Sequence, residues 1–448
     1  MNQHTHLRQI GAITAIATAA AFGLAGCSSG GGDQAIDDVA PTHLTGTVSL
    51  WHFFTDREAG VIQSVVDDFE AANPDVKVKV HSGQDDEKLR KSIASGDAVD
   101  VGLSYSTDIV GSFCDSGAFR DLGPYIQRDK VDLDQFSDTV RSYTEYDGVR
   151  CALPVLADTY GIYYNKDLLA AAGYDAPPKT LSELESMATK LTTFNADGSI
   201  KTLGFNPMMN WYENQASQYS ALTGASWLKE DGTSNVGSDP AWAEVMKWQK
   251  DFVDSIGYDK LNTFTSGLGQ EFSADNALQT GQVAMTIDGE WRTAFIADQT
   301  PDLNYGTAPF PTADNHTDVY GGGYITGNIA GIAKGSQHPE LAWALLKYMA
   351  TDTDAIVKLS NGLKNVPTTK DALASPDLEV SEQFQTFLDI AGSGLTRTTP
   401  PNVLGAAYQQ ALGDYWDKYQ AGNGGDLVAG LKGVDKEIDD ALSLATGP

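Results

Sequence analysis

Between residues 48 and 104 the chain alternates short apolar segments with amphipathic ones, and this order restricts the fold more than any other feature. Val48-Ser-Leu-Trp-His-Phe-Phe54 is short, apolar and aromatic, as expected of a buried strand. Residues 58–72 carry helical periodicity through Val61, Val65, Val66 and Phe69, and Asn73-Pro74 stops that helix. Val76-Lys-Val-Lys-Val80 alternates with period two, residues 85–95 read as a second helix, and Asp100-Val-Gly-Leu-Ser104 as a third strand before a helix to Ser116-Gly117. Strand-helix-strand-helix order predicts an α/β fold with a mostly parallel sheet and helices on both faces. Ligands on such sheets bind beyond the carboxyl ends of the strands.

Further along, residues 180–192 and 240–254 read as amphipathic helices, Val283-Ala-Met-Thr-Ile287 as a strand closed by Asp288-Gly289, and Leu341 to Ala350 as a helix. The last 70 or so residues read as mainly helical. The chain has 448 residues, beyond the size at which one core normally keeps growing, so two lobes are expected.

The N-terminus reads differently. Arg8 precedes an apolar stretch over residues 10–25 that ends in Leu24-Ala25-Gly26-Cys27. It is too short to span a bilayer but fits the apolar core of a secretory signal. Small residues before a cysteine resemble a bacterial lipobox, which implies a signal peptide over 1–26 and lipid on Cys27; an ordinary signal peptide with an incidental cysteine is the alternative. Residues 27–46 begin Ser28-Ser-Gly-Gly-Gly-Asp33 after the cysteine and have the composition of a flexible tether. The expected location is the extracytoplasmic face of the cell membrane, where no ATP or nicotinamide cofactor is expected.

The net charge of −30 disfavours nucleic acid and anionic lipid. Cys114 and Cys151 remain once Cys27 is set aside; in an oxidising compartment an even pair favours a disulfide over two buried thiols. None of the seven histidines forms a metal-type pair with a cysteine or with another histidine beyond the signal segment, and neither a phosphate loop nor a Gly-x-Ser-x-Gly elbow occurs, so no metal, cofactor or catalytic residue is assigned.

Several stretches, taken in order, resemble the extracellular solute-binding proteins of ABC importers, in the branch of the maltose- and glycerol-phosphate-binding proteins. They are Phe69-Glu-Ala-Ala-Asn-Pro-Asp-Val-Lys-Val78, Tyr163-Tyr-Asn-Lys-Asp-Leu-Leu169, Gly281-Gln-Val-Ala-Met-Thr-Ile-Asp-Gly-Glu-Trp291, Ala308-Pro-Phe-Pro311, Gly321-Gly-Gly323 and Pro339-Glu-Leu-Ala-Trp343. The resemblance implies a two-lobed periplasmic-binding-protein fold with a hinge and a ligand cleft, lobe 1 being 47–158 plus 308–365 and lobe 2 being 159–307 plus 366–448. It implies no catalysis. It implies a monomer that delivers an oligosaccharide to membrane permease subunits and their ATPase.

A neutral sugar needs flat apolar surfaces for its C–H faces and polar groups for its hydroxyls. Trp291 follows the Asp-Gly turn where the family stacks a ring on a sugar; core packing is its alternative. Trp211, with Asn210 beside it, sits in a loop. Asp158 matches the acidic sugar ligand before the crossover of maltose-binding proteins; a hinge salt bridge is the alternative. Asp108 and Tyr105 follow the third strand where relatives place an acid and a ring, although Asp108 suits a helix N-terminus equally. His52 and Phe54, with Phe53 between them, end the first strand, and one or more should line the cleft. Gly322, Gly323 and Tyr324 lie where the family brings backbone near the ligand. Asn361 and Lys364 precede the last crossover, and Arg397 sits in a Gly/Thr/Pro loop. The glycerol-phosphate branch also ends its first strand in a Trp-His pair, as Trp51-His52 does, but carries small hydroxyl residues in place of Asp158. A carboxylate facing a phosphate is repelled, so glycerol phosphate or a glycerophosphodiester is the second choice.

Overall fold

The computed structural model describes residue 36 and residues 39–446; Cys27 and the stretches around it lie outside the described residues. Strands β1 (Gly46–His52), β2 (Val76–His81) and β3 (Val101–Ser104) form as the sequence pattern predicts and pair in parallel, β1 lying between β2 and β3. Helix Asp56–Ala72 joins β1 to β2 and buries Ile62, Val65, Val66 and Phe69, an i, i+3, i+4, i+7 stripe. Helix Asp86–Ser95 joins β2 to β3; Asp85 caps it by accepting from Lys88 N, and Gly96 ends it at φ 79°.

The remaining strands are β4 (Leu153–Asn165), β5 (Thr193–Phe194), β6 (Ile200–Phe205), β7 (Val283–Gly289), β8 (Tyr305–Pro309), β9 (Ile325–Ile332) and β10 (Val366–Pro367). The sheet order is β2-β1-β3-β9-β4-β7-β6-β5, with β8 and β10 also pairing with β4. The expected mostly parallel sheet holds only for β1–β2, β1–β3 and β6–β7; β4 is antiparallel to β7, β8, β9 and β10. Helical crossovers enforce parallel pairing only between neighbours in sequence, whereas β4 and β9 are about 160 residues apart.

β4 organises the whole body. Its first half, Leu153 to Thr159, pairs with β9, and its second half, Tyr160 to Asn165, pairs with β7 and β8. Thirteen residues long and buried almost throughout, it passes from one lobe of the α/β fold into the other. One core gathers Val48, Leu50, Val65, Phe69, Leu103, Trp343 and Leu346. Another gathers Leu184, Phe205, Trp242, Met246, Tyr408 and Trp416. Each fully buried Leu or Val in them contributes about 1.5–3 kcal/mol relative to an exposed one. The last helices, Ala407–Gln420 and Leu427–Thr446, pack into the second core through Trp416, Leu431 and Ile438.

Cys114, at the end of helix Ile109–Asp115, is bonded to Cys151, two residues before β4, with the Cα atoms 5.4 Å apart. Among the described residues no helix is long and apolar enough to cross a membrane, and no group of side chains is arranged to hold a metal ion.

Candidate ligand-binding cleft

The strand ends that face one another across the β4 crossover enclose a cavity of about 850 Å³. Phe53 and Phe54 follow β1, Tyr105 and Asp108 follow β3, and Asp158 and Tyr160 lie at the middle of β4. Trp291 follows β7, Tyr324 directly precedes β9 and Asn328 lies at its middle, and Asn365 directly precedes β10. Ser217, Gln218, Gln409 and Gln410 complete the wall from two helices.

Trp291 is placed by a glycine. A Cβ on Gly289 would lie 2.3 Å from the indole, so only glycine lets the ring fold back over the end of β7. The indole meets Tyr160 edge to face at 5.5 Å, and Tyr160 lies 5.6 Å from Tyr324. Three rings thus form one continuous apolar surface in the wall.

Asp158 is held by two amides. Asn365 Nδ2 donates to its Oδ1 at 2.5 Å, and Asn328 Nδ2 donates to its Oδ2 at 3.1 Å. The same Asn365 nitrogen donates to Glu290 Oε1 at 3.1 Å, while Thr159 N donates to Glu290 Oε2 at 2.7 Å. Asp158 is 4% exposed and Glu290 0%. Neither forms an ion pair, so the hinge salt bridge does not occur; two carboxyls meet instead. Burial, the charge of Glu58 adding to it, pushes Asp158 up to about 7. Burial, and then the charge of Asp158, pushes Glu290 up as well. The pair keeps a proton in the folded state that the unfolded chain gives up in the ordinary carboxylate range.

This fixes a pH dependence. Raised carboxyl pKa values stabilise the fold fully below about pH 4, and that contribution is lost as the pH rises through about 7. We expect the pair to contribute a fall in unfolding free energy between pH 5 and pH 7.5, with a slope of up to about 1.4 kcal/mol per pH unit for its one proton, on top of what Asp86 and Glu271, also raised to about 7, add. Glu290→Gln should flatten the slope in urea titrations run across that range. The same slope in the variant would remove the carboxyl pair as its source.

Asp108 also reaches across the cavity. Its Oδ1 accepts from Gln409 Nε2 at 2.7 Å and from Thr399 Oγ1 at 3.1 Å, and burial raises its pKa. It stands at the N-cap position of helix Ile109–Asp115, and its side chain makes no capping bond there.

Behind the wall Arg292, 0% exposed, donates from Nε to Asp288 Oδ2 at 2.6 Å, and its Nη2 lies 3.7 Å from Glu271 Oε1. Glu213, in the cavity wall beside this group, is pushed well up by burial and by the charges of Glu271 and Asp288.

Of the residues singled out from sequence, Trp291, Asp158, Asp108, Tyr105, Phe54, Asn210 and Tyr324 line the cavity. His52 does not. Val48, Leu50, His52 and Phe54 share one face of the strand and its extension, and the period of two carries the imidazole into the core, where burial lowers its pKa to about 4. Trp211 stacks on Tyr212 at 4.0 Å within a small cluster around Leu203 and Met208, while Asn210 donates to Asp417 Oδ2 at 2.8 Å. Gly322 serves close packing, since a Cβ there would lie 2.6 Å from Leu395, whereas Gly323 has room for one, 3.4 Å from Tyr160 O; neither lines the cavity. Asn361 binds the backbone of Asp377 and Glu379, Lys364 lies 3.4 Å from the Glu379 carboxylate, and Arg397 reaches Gly224 O at 3.5 Å; none of the three lines the cavity. Asn328, Asn365, Glu213, Gln409, Phe272 and Phe295 were not singled out. Asn365 neighbours Lys364 and the crossover, which is a usable signal; the others carry none in their local sequence.

The family model for bacterial extracellular solute-binding proteins matches residues 55–356. The maltotriose-binding protein of Pyrococcus abyssi is 25% identical over 396 residues, covering 88% of this chain and 82% of that protein. The maltodextrin-binding protein MdxE of Bacillus subtilis is 29% identical over 438 residues, covering 95% and 94%. Among solved structures, CpMnBP1 with mannotriose bound superposes with a TM-score of 0.78 at 25% identity, covering 88% of this chain and 99% of that one. With an α/β body whose strand ends converge on a cavity, and a match over most of its length, the chain belongs to the bacterial extracellular solute-binding protein family.

Proposed function

We propose that this protein captures a neutral oligosaccharide in the cavity and delivers it to the membrane permease of an ABC importer driven by its ATPase. The observation that carries this reading is the pairing of one apolar ring surface, Trp291 with Tyr160 and Tyr324, with amides and carboxyls around it. Ring faces cover sugar C–H surfaces, and oriented polar groups take the hydroxyls. The relatives named for maltotriose and maltodextrin and the mannotriose complex support the same ligand class. Six carboxyl side chains and one guanidinium, Arg57, line the cavity, a balance that opposes glycerol phosphate.

In this reading the protein binds and does not catalyse. It works as a monomer on the extracytoplasmic face of the membrane, held by lipid on Cys27. The lobes are 47–158 with 308–365 and 159–307 with 366–448; the cut at 158/159 is supported by the change of β4 partners between Thr159 and Tyr160.

A thermal-shift screen with maltotriose, mannotriose and glycerol 3-phosphate tests the ligand class. A glycan present at 100 times its Kd should stabilise the fold by about 2.7 kcal/mol. Calorimetry on that glycan should show Trp291→Ala binding at least tenfold more weakly, about 1.4 kcal/mol. Stabilisation by glycerol 3-phosphate alone, or full affinity in the variant, contradicts the reading.

A further inference from the structure

Two acids meet where β4 passes between the lobes, and only one of them faces the cavity. Asp158 lines it, whereas Glu290, 0% exposed, lies behind it between β7 and Trp291. The two carboxyls are within hydrogen-bond reach of each other. Each of their oxygens already accepts an N–H: Asn365 and Asn328 donate to Asp158, and Asn365 and Thr159 N donate to Glu290. A carboxylate offers no donor, so the contact between the acids needs a proton on one of them. Glu290 is the place for it, because it is out of reach of solvent. A charge on Asp158 can be met by water or by a hydroxyl in the cavity.

Nothing cationic offsets the pair. Arg57, in the first turn of helix Asp56–Ala72, lies 3.6 Å from Glu58 and stands over the Phe295 ring, and Arg292 is held by Asp288. Glu58 adds negative charge toward Asp158, and Asp56 adds it toward Glu58. The phenols that face the pair, Tyr143, Tyr160 and Tyr163, are pushed up by burial and stay neutral. Burial holds Asp158 at about 7 even though the bonds from Asn365 and Glu290 pull it down.

We infer that Glu290 is a positioning residue of the ligand site, that it carries a proton and donates it in a hydrogen bond to Asp158, and that sugar binding is linked to protons through this contact. A ligand hydroxyl that donates to Asp158 needs the carboxylate, since a charge-assisted bond is the stronger one. The acid form of Asp158 therefore loses its proton to solvent as the glycan binds. The sign follows: affinity is highest where Asp158 is already ionised and falls as the pH drops, by up to about tenfold per pH unit for one proton. The inference rests on the reading of the cavity as a sugar site.

Calorimetry on the glycan found by thermal shift tests it, run in two buffers of unlike ionisation enthalpy, phosphate and imidazole. At about pH 6 the binding heats should differ by the amount that about half a proton or more released per glycan requires, and affinity should rise at least threefold from there to about pH 7. Glu290→Gln keeps a neutral donor toward Asp158 and should leave the midpoint of that rise in place. Glu290→Leu lacks the donor and should move the midpoint up by about one pH unit. A purely structural role for Glu290 would change affinity alike at every pH. Glu58, Asp108 and Glu213, the other raised acids of the wall, bond to other partners than Glu290, so a midpoint moved by its loss belongs to Asp158. Equal heats in the two buffers, one midpoint in all three proteins, or a midpoint moved as far by Gln as by Leu overturns the inference and leaves the sugar reading standing. Failure of every glycan to bind overturns both.

Discussion

Arg292→Leu should lower the unfolding free energy by about 3–5 kcal/mol, the range for breaking a buried ion pair by removing one partner. The guanidinium and Asp288 are both fully buried, so the variant strands a carboxylate out of water with only Gly289 N left to it. Glu271, 3.7 Å from the same guanidinium, loses its nearest cation as well. The Phe272 and Phe295 rings lose the surface on which they rest. The double variant Arg292→Leu with Asp288→Leu should recover much of the loss, because a buried ion pair replaced by apolar groups of similar volume is often neutral. Urea unfolding of the three proteins decides; a single variant within 1 kcal/mol of the parent would show that water reaches the pair.

Loss of the Cys114–Cys151 bond should cost a comparable amount. The two cysteines are 37 positions apart, and on the chain-entropy estimate closing such a loop stabilises the fold by roughly 3–4 kcal/mol. Both residues are buried among Val110, Phe113, Phe119 and Tyr143, where the bond ties a helix of one lobe to the start of β4. The variant with Cys114→Ala and Cys151→Ala should therefore show a lower urea midpoint. A reducing agent should shift the parent toward the same midpoint and leave the variant unmoved. A midpoint equal to that of the parent would mean that the loop is constrained by packing alone.

Local elements were legible because their signals are local. The period of two in Val76–Val80 and the spacing of Val65, Val66 and Phe69 produced the strand and the helix that form. Trp291 was legible because the Asp288-Gly289 turn marks a strand end. The antiparallel pairing of β4 was not, since its partners lie 120 to 210 residues away and nothing near Leu153 records their direction. His52 illustrates a signal read too loosely: polarity suggested the cleft, while the alternation of Val48 and Leu50 already assigned it to the core. Asn328 and Asn365 were hidden for the same reason as β4, because only the β9–β4–β10 pairing brings them to Asp158. Gln409 reaches Asp108 from 301 positions away, a contact no spacing rule can anticipate.

The continuity of β4 also governs how this protein can be taken apart. Because residues 153–165 supply ladder bonds to β9 in one direction and to β7 and β8 in the other, neither lobe has a complete sheet without them. A split reporter or a circular permutant cut between Thr159 and Tyr160 would leave two unpaired sheet edges, each open to aggregation. Exposed turns remote from that strand, such as Asp231-Gly232 or Gly422-Asn423, are the places where the chain can be opened and its two parts still reassemble.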